Sequence, residues 1–458
     1  MKDRFFQVLR TQFREFRDAH LLLAVSGGMD SMAMLQLFLD VAVEIPLEIS
    51  CAHVNHQLRP TSEKDADFVS EFAHRHSVGC YTSTANVQQY VDSSELSPEM
   101  AARELRYQLL EQMRSEADAH YICTAHTMSD QAETVLMRLI NGTGVQGIMG
   151  IHDKRGVIRR PLLSFTREQI HQYVNTHDIP YREDPSNKDT GIERNWIRHE
   201  LLPLIAKKQN PRISAALARF SHIQSEVKEY LDFQTEKALQ SLVLRESEGQ
   251  IILDIRGFRN YFTVIQKNII QTCLTELKPA LRAITFSQME QIHYLLTAGD
   301  SGASIQVPGG VEIVRDRNEA LVTTIPWQDD FSAALEIPGD YSVGRYRINV
   351  EVLPHVTKTG LRNSNEFRAY FDAGALPVEN LTWRTWKSGD TLELTDGSTK
   401  KVSDIWIDAK VPIWIKHQTP LLVHGNDILW IPGVKRSGKY WVTEQTGNIL
   451  QITVHRIT

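Results

Sequence analysis

A small-residue loop, three carboxylates and five arginines carry most of the chemistry legible in this chain. The loop is Ser26-Gly27-Gly28-Met29-Asp30-Ser31. It follows the short apolar run Leu21–Val25 and opens directly into the helical pattern Met32, Leu35, Phe38, Leu39. Glycines at a strand-to-helix junction let the backbone approach an oxyanion closely, and the N–H groups of the helix start point at it. Ser26 and Ser31 add hydroxyl donors. Asp30 sets a carboxylate beside the phosphates, which suits a Mg²⁺ that bridges them. A Walker A loop is excluded, since no Gly-Lys-Ser/Thr ending follows. Ser26, Gly27, Gly28, Met29, Asp30 and Ser31 are therefore candidates to hold ATP, with Asp30 also a candidate Mg²⁺ ligand.

Asp130 and Glu133 stand three apart at the start of a second helical segment and so share one face. If that helix start opens on the same crevice as the loop, two carboxylates converge near the phosphates, able to hold Mg²⁺ or accept a proton from an attacking amine. The alternative is capping and dipole pairing, which contributes ~0.3–1 kcal/mol for each acid. His126, at the end of a strand-like run, reads equally as a hydrogen-bonded structural histidine or a catalytic one. Arg103 and Arg106 fall on one face of a helix spanning Ser97–Met113 and could hold pyrophosphate or an RNA backbone. Their alternative is a solvated face paired with Glu99 or Glu111. Arg194 and Arg198 share a helical face as well, and with Arg160, Lys207 and Lys208 they outline a phosphate-contacting surface.

These residues need a frame, and the first ~210 residues supply one. Strand-like Leu21–Val25, Leu47–His53 and Tyr121–Ala125 alternate with helical Asp65–His76 and Asp130–Ile140, the last stopped by Asn141-Gly142. Such alternation argues for a parallel sheet with helices on both faces. From Ile213 to Leu277 the pattern turns helical, with Ala215, Leu217, Phe220, Ile223 and Val227 in one stripe. Short strands follow around Pro308-Gly309-Gly310. A polar stretch, His355–Asn365, precedes strand-like Leu381–Trp386, Val411–Trp414, Leu421–His424, Ile428–Ile431 and Ile449–Val454. The fold class read from this is α/β: a Rossmann-like N-terminal domain (1–213), a mainly helical, mixed domain (214–350) and a small β-rich C-terminal domain (360–458). The tryptophans Trp383, Trp386, Trp406, Trp414, Trp430 and Trp441 could stack bases, but such rings usually build the core of a small domain.

A hydrophobic share of 42% with 23% charged residues provides for real cores, and no apolar run approaches the ~20 residues of a membrane helix. The N-terminal segment lacks the apolar region of a signal peptide; Phe5, Leu9, Phe13 and Phe16 instead recur at helical spacing. Cys51, Cys80, Cys123 and Cys273 form no CxxC pair, which points to a reducing cytoplasm and away from zinc or iron–sulfur chemistry. The net charge of -6 gives no global nucleic-acid signature, yet Lys154–Arg212 holds twelve Lys/Arg against seven Asp/Glu.

Further motifs narrow the function. SGGxDS is the loop of the N-type ATP pyrophosphatases. His53-Val54-Asn55-His56-Gln57-Leu58-Arg59, Ala102-Arg103 with Arg106-Tyr107, His126 with Asp130-Gln131-Ala132-Glu133-Thr134, and Gly142-Thr143-Gly144 with Gly147 follow in order. So do Arg160-Pro161-Leu162-Leu163, Glu183-Asp184-Pro185-Ser186-Asn187 and Arg194-Asn195-Trp196-Ile197-Arg198. At the far end stand Gly389-Asp390, Lys400-Lys401-Val402-Ser403-Asp404 and Trp430-Ile431-Pro432-Gly433. Taken together the chain resembles the long bacterial form of the tRNA(Ile)-lysidine synthetase family. The resemblance implies a cytoplasmic ligase that uses ATP and Mg²⁺ to join free L-lysine to the wobble cytidine of the isoleucine tRNA with a CAU anticodon. An adenylated tRNA would be the intermediate, and AMP and pyrophosphate the products. It implies catalytic roles for Asp30, Arg103, His126, Asp130 and Glu133, and tRNA contacts for Arg106, Arg160, Arg194, Arg198, Lys400 and Lys401. It also admits a homodimer.

The sequence departs from the family pattern at Thr127, where a second histidine is usual, and at Ser129, where an aspartate is usual. Those changes keep open a tRNA-binding protein with an impaired centre, against which the intact loop counts. A 2-thiolation enzyme is the other rival, but it needs cysteines for sulfur relay or a cluster, and the scattered four provide no pair.

Overall fold

The computed structural model describes the whole chain except residues 56–61, 93–96, 184–188, 280, 282–283, 329, 355–366 and 458. It divides into two compact units, Met1–Tyr230 and Leu231–Thr458. The first unit runs α1 (Lys2–Gln12), β1 (His20–Ala24), α2 (Met29–Ala42), β2 (Glu48–Asn55), α3 (Ser62–Arg75), β3 (Gly79–Thr84), α4 (Val87–Asp92), α5 (Pro98–Glu116) and β4 (Tyr121–Thr124). It continues through α6 (Met128–Ile140), α7 (Val145–Ile148), β5 (Lys154–Arg155), β6 (Ile158–Arg159), α8 (Arg167–Thr176), α9 (Glu193–Trp196), α10 (Leu202–Lys208) and the long α11 (Ile213–Leu242), whose residues up to Tyr230 belong to this unit.

The strands form one sheet in the order β3-β2-β1-β4-β6-β5. All neighbours are parallel except the β5–β6 hairpin. Why the apolar runs are continuous rather than alternating is clear from burial. Leu21, Leu22 and Leu23 are all fully buried because helices cover both faces. Leu21, Leu23, Cys51 and Cys123 pack toward α1, α2 and α8. Leu22, Ala52 and Ile122 pack the other way, against Leu110 and Met113 of α5. The N-terminal phenylalanine stripe belongs to the first of these layers. Phe5 meets Phe38 of α2 edge-on at 5.1 Å, and Phe5, Leu9, Phe13 and Phe16 are buried. An edge-on pair of this kind contributes about 1 kcal/mol beyond its buried area. The four cysteines are free thiols.

β1 lies where the strand order reverses, between β2 and β4. In open parallel sheets the crevice outside the carboxyl ends at such a point is where ligands bind. The loops that follow β1 and β4 both leave the sheet there, bringing the Ser26–Ser31 loop and the start of α6 to one place.

In the second unit the strands Val243–Ser247, Gln250–Asp254, Glu319–Thr323, Val311–Asp316 and Ser304–Val307 make a five-stranded sheet. Its core is shared with the helices Thr263–Leu277 and Phe286–Ala298. The remainder is β-rich, with a five-stranded and a four-stranded sheet whose core includes Trp383, Trp430, Phe371 and Leu450. The sequence expectation of a parallel α/β sheet, a mainly helical segment and a β-rich end is met. One strand expectation is corrected: Val411–Trp414 is not a strand. Pro412 caps the short helix Ile413–Lys416, since a proline has the fixed φ of a helix entry and no N–H to give a ladder. The helical stripe in α11 also faces differently from the usual core stripe. Phe220, Ile223 and Val227 are exposed, whereas Ser221 is buried. Among the described residues no helix is long and apolar enough to cross a membrane.

Candidate active site

The glycine loop is held open by its own serines. The Ser26 N–H donates to Ser31 Oγ at 3.2 Å, and the Ser31 hydroxyl donates to Gly28 O at 2.9 Å. Gly27 takes φ +85°, a backbone conformation in which a β-carbon would be strained, and its carbonyl accepts the Arg182 N–H at 2.9 Å. The first-turn N–H groups of α2, those of Met29, Asp30 and Ser31, have no helical carbonyl to donate to and so remain donors for an anion. Asp30 is the anomaly of the loop. Its Oδ1 is buried and has no hydrogen-bond partner. Burial first, and then the Asp130 carboxylate, raise its carboxyl to about 6, while Arg167 and Arg198 pull it down. A buried carboxylate oxygen without a protein donor fits a cation ligand. No group of three His, Cys, Asp or Glu able to cage a metal occurs among the described residues. Mg²⁺ needs none, because it is commonly held by one or two carboxylates together with substrate phosphates and water.

At the start of α6 the opposite condition holds. Thr127 and Asp130 form a reciprocal cap, in which Thr127 N–H and Oγ1 both donate to Asp130 Oδ2 at 2.8 Å. Arg194 and Arg198 donate to Asp130 Oδ1 at 2.8 and 3.1 Å. Glu133, only 1% exposed, accepts from Arg194 Nε at 2.9 Å and from Arg198 Nε and Nη2 at 2.6 and 2.9 Å. Although burial opposes it, these guanidiniums and the Thr127 N–H hold the Asp130 carboxyl below the usual range. Thr127 thus replaces the expected histidine with a helix cap that fixes Asp130. Arg194 and Arg198 do not form the outward phosphate-contacting surface read from the sequence: they turn inward to pair with the buried Glu133 and the half-buried Asp130. Arg160 is likewise buried, donating from Nη1 to His152 O at 2.6 Å, with its Nε unpaired. Only Lys207 and Lys208 of that expected surface are exposed.

A cationic group lies beside this cluster. The Arg103 and Arg106 guanidinium carbons sit 5.3 and 5.2 Å from the Tyr107 ring centre, and Arg160 Nη2 reaches the Tyr107 hydroxyl at 3.5 Å. Burial first, with Arg103 and Arg194 nearby, lowers the Arg106 guanidinium. Arg106 and Arg160 hold the Tyr107 phenol below its ordinary value despite burial. His126 bonds through Nδ1 to Thr124 Oγ1 at 2.9 Å. Burial and the arginines Arg160, Arg106 and Arg194 outweigh the pull of Asp130 and hold its imidazole well below the usual histidine range, hence neutral. His53 is buried against Val25 O at 2.9 Å, on the backbone leading into the glycine loop.

Sequence reasoning missed three residues. Arg167, at the start of α8, bears electrostatically on Asp30. Arg182 clasps the loop through its backbone and pairs with Asp65 at 2.7 Å. Gln131 is buried behind the carboxylates. Arg167 sits four residues after the Arg160–Leu163 motif, the one sequence cue to it. His56, Gln57, Leu58 and Arg59, and Asp184–Asn187 of the EDxSN segment, lie outside the described residues.

In the second unit, Gly389-Asp390 is a structural turn. Arg384 grips Asp390 through two bonds of 2.7 and 2.8 Å, and Lys387 N–H caps the same carboxylate. Lys400 pairs with Asp408, while Lys401 is exposed at the start of the helix Val402–Asp408. Trp383, Trp406, Trp414 and Trp430 are core, and Trp441 is half-exposed with Arg436 stacked 4.0 Å from its ring.

A glycine-serine loop at the topological switch point of a parallel sheet defines a PP-loop ATPase domain, and a family model described as a PP-loop domain matches residues 1–205. A second, described as a TilS substrate C-terminal domain, matches residues 381–452. A tRNA(Ile)-lysidine synthase of Bacillus cereus is 32% identical to this chain, covering 92% of it and 89% of its own length. Enzymes of the same name from Clostridium tetani (28% identical, 95% and 94% covered) and Geobacter sulfurreducens (29%, 92% and 90%) are similar along the whole chain too. The chain belongs to the tRNA(Ile)-lysidine synthase family, tRNA-modifying ligases that form a carbon–nitrogen bond.

Proposed function

We propose that the two helix starts divide the reaction between them. The Ser26–Ser31 loop and the α2 N–H groups receive the phosphates of ATP. The O2 oxygen of the wobble cytidine in the CAU-anticodon isoleucine tRNA attacks the α-phosphate, and pyrophosphate leaves. Asp30 is the residue that would hold Mg²⁺, which when bound supplies positive charge to the phosphate oxygens. Arg103, Arg106 and Arg160 offer their positive charge to the pyrophosphate or to the RNA backbone. The adenylated O2 is then a good leaving group. The ε-amine of lysine, after losing a proton, attacks C2 and expels AMP.

Lysine arrives protonated, with a pKa about 10.4, and an ammonium has no lone pair. Asp130 and Glu133 hold that cation and accept its proton. For this to happen the ammonium must take bonds now made by Arg194 and Arg198. As a neutral base, His126 serves as a hydrogen-bonding group beside the reacting atoms rather than as an acid. Reaching the base edge requires the anticodon nucleotide to be splayed out of its stack, the normal mode of single-stranded RNA recognition.

Residues 1–213 carry the chemistry in this reading, and 214–350 and 360–458, with Lys400 and Lys401, grip the tRNA. The free thiols fit a cytoplasmic protein. One observation carries the assignment: β1 and β4 are neighbours in register, so the phosphate loop and the Asp130/Glu133 helix open side by side. Incubation with labelled lysine, ATP and bulk bacterial tRNA tests it. Lysine should enter tRNA with release of AMP and pyrophosphate. Tests of the rival readings come from the same tubes, since tRNA-dependent ADP and orthophosphate, or no incorporation, would refute the assignment.

A further inference from the structure

Behind the carboxylates, α6 carries a second polar contact that plays no part in the chemistry above. Gln131 follows Asp130 directly but points to a different side of the helix. It is 6% exposed, and both ends of its amide are engaged. Nε2 donates to Met149 O at 3.1 Å and to Ser221 Oγ of α11 at 2.6 Å; Oε1 accepts the Ile151 N–H at 2.5 Å. The Ser221 hydroxyl, 1% exposed, donates in turn to Met149 O at 2.5 Å. Two turns further on, and so on the same face of α6, Arg138 donates to Gly147 O and to Gly150 O. Gly150 sits at φ +66°, and a β-carbon there would lie 2.5 Å from Gln131 Oε1. The turn at 149–151 is thus built around this one amide.

We infer that Gln131 is a positioning residue for lysine transfer, fixing the Asp130/Glu133 face of α6 by tying the helix to α11 through Ser221 and to the 149–151 turn. The inference rests on the proposed role of the two carboxylates. Its physical basis is that a buried amide with all its partners in place permits one helix rotation, whereas an apolar face tolerates several. The catalytic side of α6 is held by Arg194 and Arg198, which lysine must partly displace. While that exchange proceeds, the Gln131 side is the one that stays fixed. The phosphate loop has no hydrogen bond to this node and feels α6 only through the charges of Asp130 and Glu133, so adenylation should respond less than lysine transfer.

Three substitutions on three separate elements test the idea in the full chain: Gln131→Met, close in shape and without the amide; Ser221→Ala; and Gly150→Ala, which drives a methyl into the amide. Ser221→Thr keeps the hydroxyl and serves as the rescue. Single-turnover adenylation of tRNA without lysine is measured beside the KM for lysine and the rate of lysine incorporation. Adenylation should stay within about twofold of wild type. Lysine KM should rise and incorporation fall by about tenfold, below the ~100-fold that a 1 Å misplacement of reacting groups can cost. Ser221→Thr should stay close to wild type. An equal fall in both steps, the mark of a merely structural node, would overturn the inference, as would unchanged lysine kinetics. Failure of the wild-type chain to incorporate lysine would instead strike the functional reading itself.

Discussion

The starts of α2 and α6 stand side by side and treat their acids in opposite ways. Asp30 at the first has a buried oxygen with no partner, and burial drives its carboxyl up. Asp130 and Glu133 at the second are saturated by two arginines and a threonine cap. A buried carboxylate oxygen without a protein donor is prepared for a cation brought from outside. A paired one must release a partner before it can take up a substrate ammonium. The difference separates a step that the free protein is ready for from one that requires rearrangement.

The largest expected effect comes from the unsatisfied side. Asp30→Asn should slow tRNA adenylation by about 10³-fold, the scale of losing one electrostatic group aimed at a phosphoryl transition state. Melting temperature should not fall, because Asp30 Oδ1 has no hydrogen-bond donor to lose and burial, the largest influence on this carboxyl, disfavours its charge. A variant that melts much earlier would show Asp30 to be structural and erase the contrast.

Asp130→Asn keeps the cap geometry but removes the charge. Lysine incorporation should drop about 10²-fold with adenylation far less affected, as expected for loss of a positioned proton acceptor. Equal losses in both steps would merge the two sites into one.

Glu133→Gln sharpens the comparison through stability. It leaves Arg194 and Arg198 facing a neutral amide at a site with 1% exposure, so unfolding free energy should fall by about 3 kcal/mol. A denaturant midpoint unchanged from wild type would mean that the ion cluster is not holding α9 and the following turns to α6.

The smallest effect is that of pH on His126. Its folded pKa is depressed by burial and nearby arginines, so the unfolded chain binds the proton more readily. The stability associated with a neutral His126 is present above about pH 6.5 and is lost as pH falls below it. Replacing it by glutamine removes that loss. The gap in melting temperature between wild type and His126→Gln should therefore narrow from pH 7.5 to pH 5. A constant gap would indicate an imidazole that titrates normally.

Much of this site could be read from local sequence, because its motifs are local. The glycine loop, the Asp130/Glu133 face and the strand–helix alternation each lie within one short segment, where spacing determines which residues share a face. What escaped depends on long-range contacts. Nothing near Arg194 and Arg198 announces that their partners are Asp130 and Glu133, some sixty residues earlier. The partner of Gln131 is equally hidden, because its amide is held by Ser221, ninety residues away. The α11 stripe misled for the same reason: periodicity places Phe220, Ile223 and Val227 on one face but cannot say whether anything packs there. At Val411–Trp414 an apolar run was read as a strand although Pro412 already marked a helix entry.

The division of labour between the two helix starts is tested most directly by one paired measurement: single-turnover formation of adenylated tRNA without lysine, followed by lysine incorporation, in Asp30→Asn and Asp130→Asn. The account predicts that Asp30→Asn fails at the first step. Asp130→Asn should accumulate adenylated tRNA and stall at the second. Asp130→Asn incorporating lysine at the wild-type rate and with the wild-type KM would contradict it, and would leave Asp130 as no more than the cap of a helix.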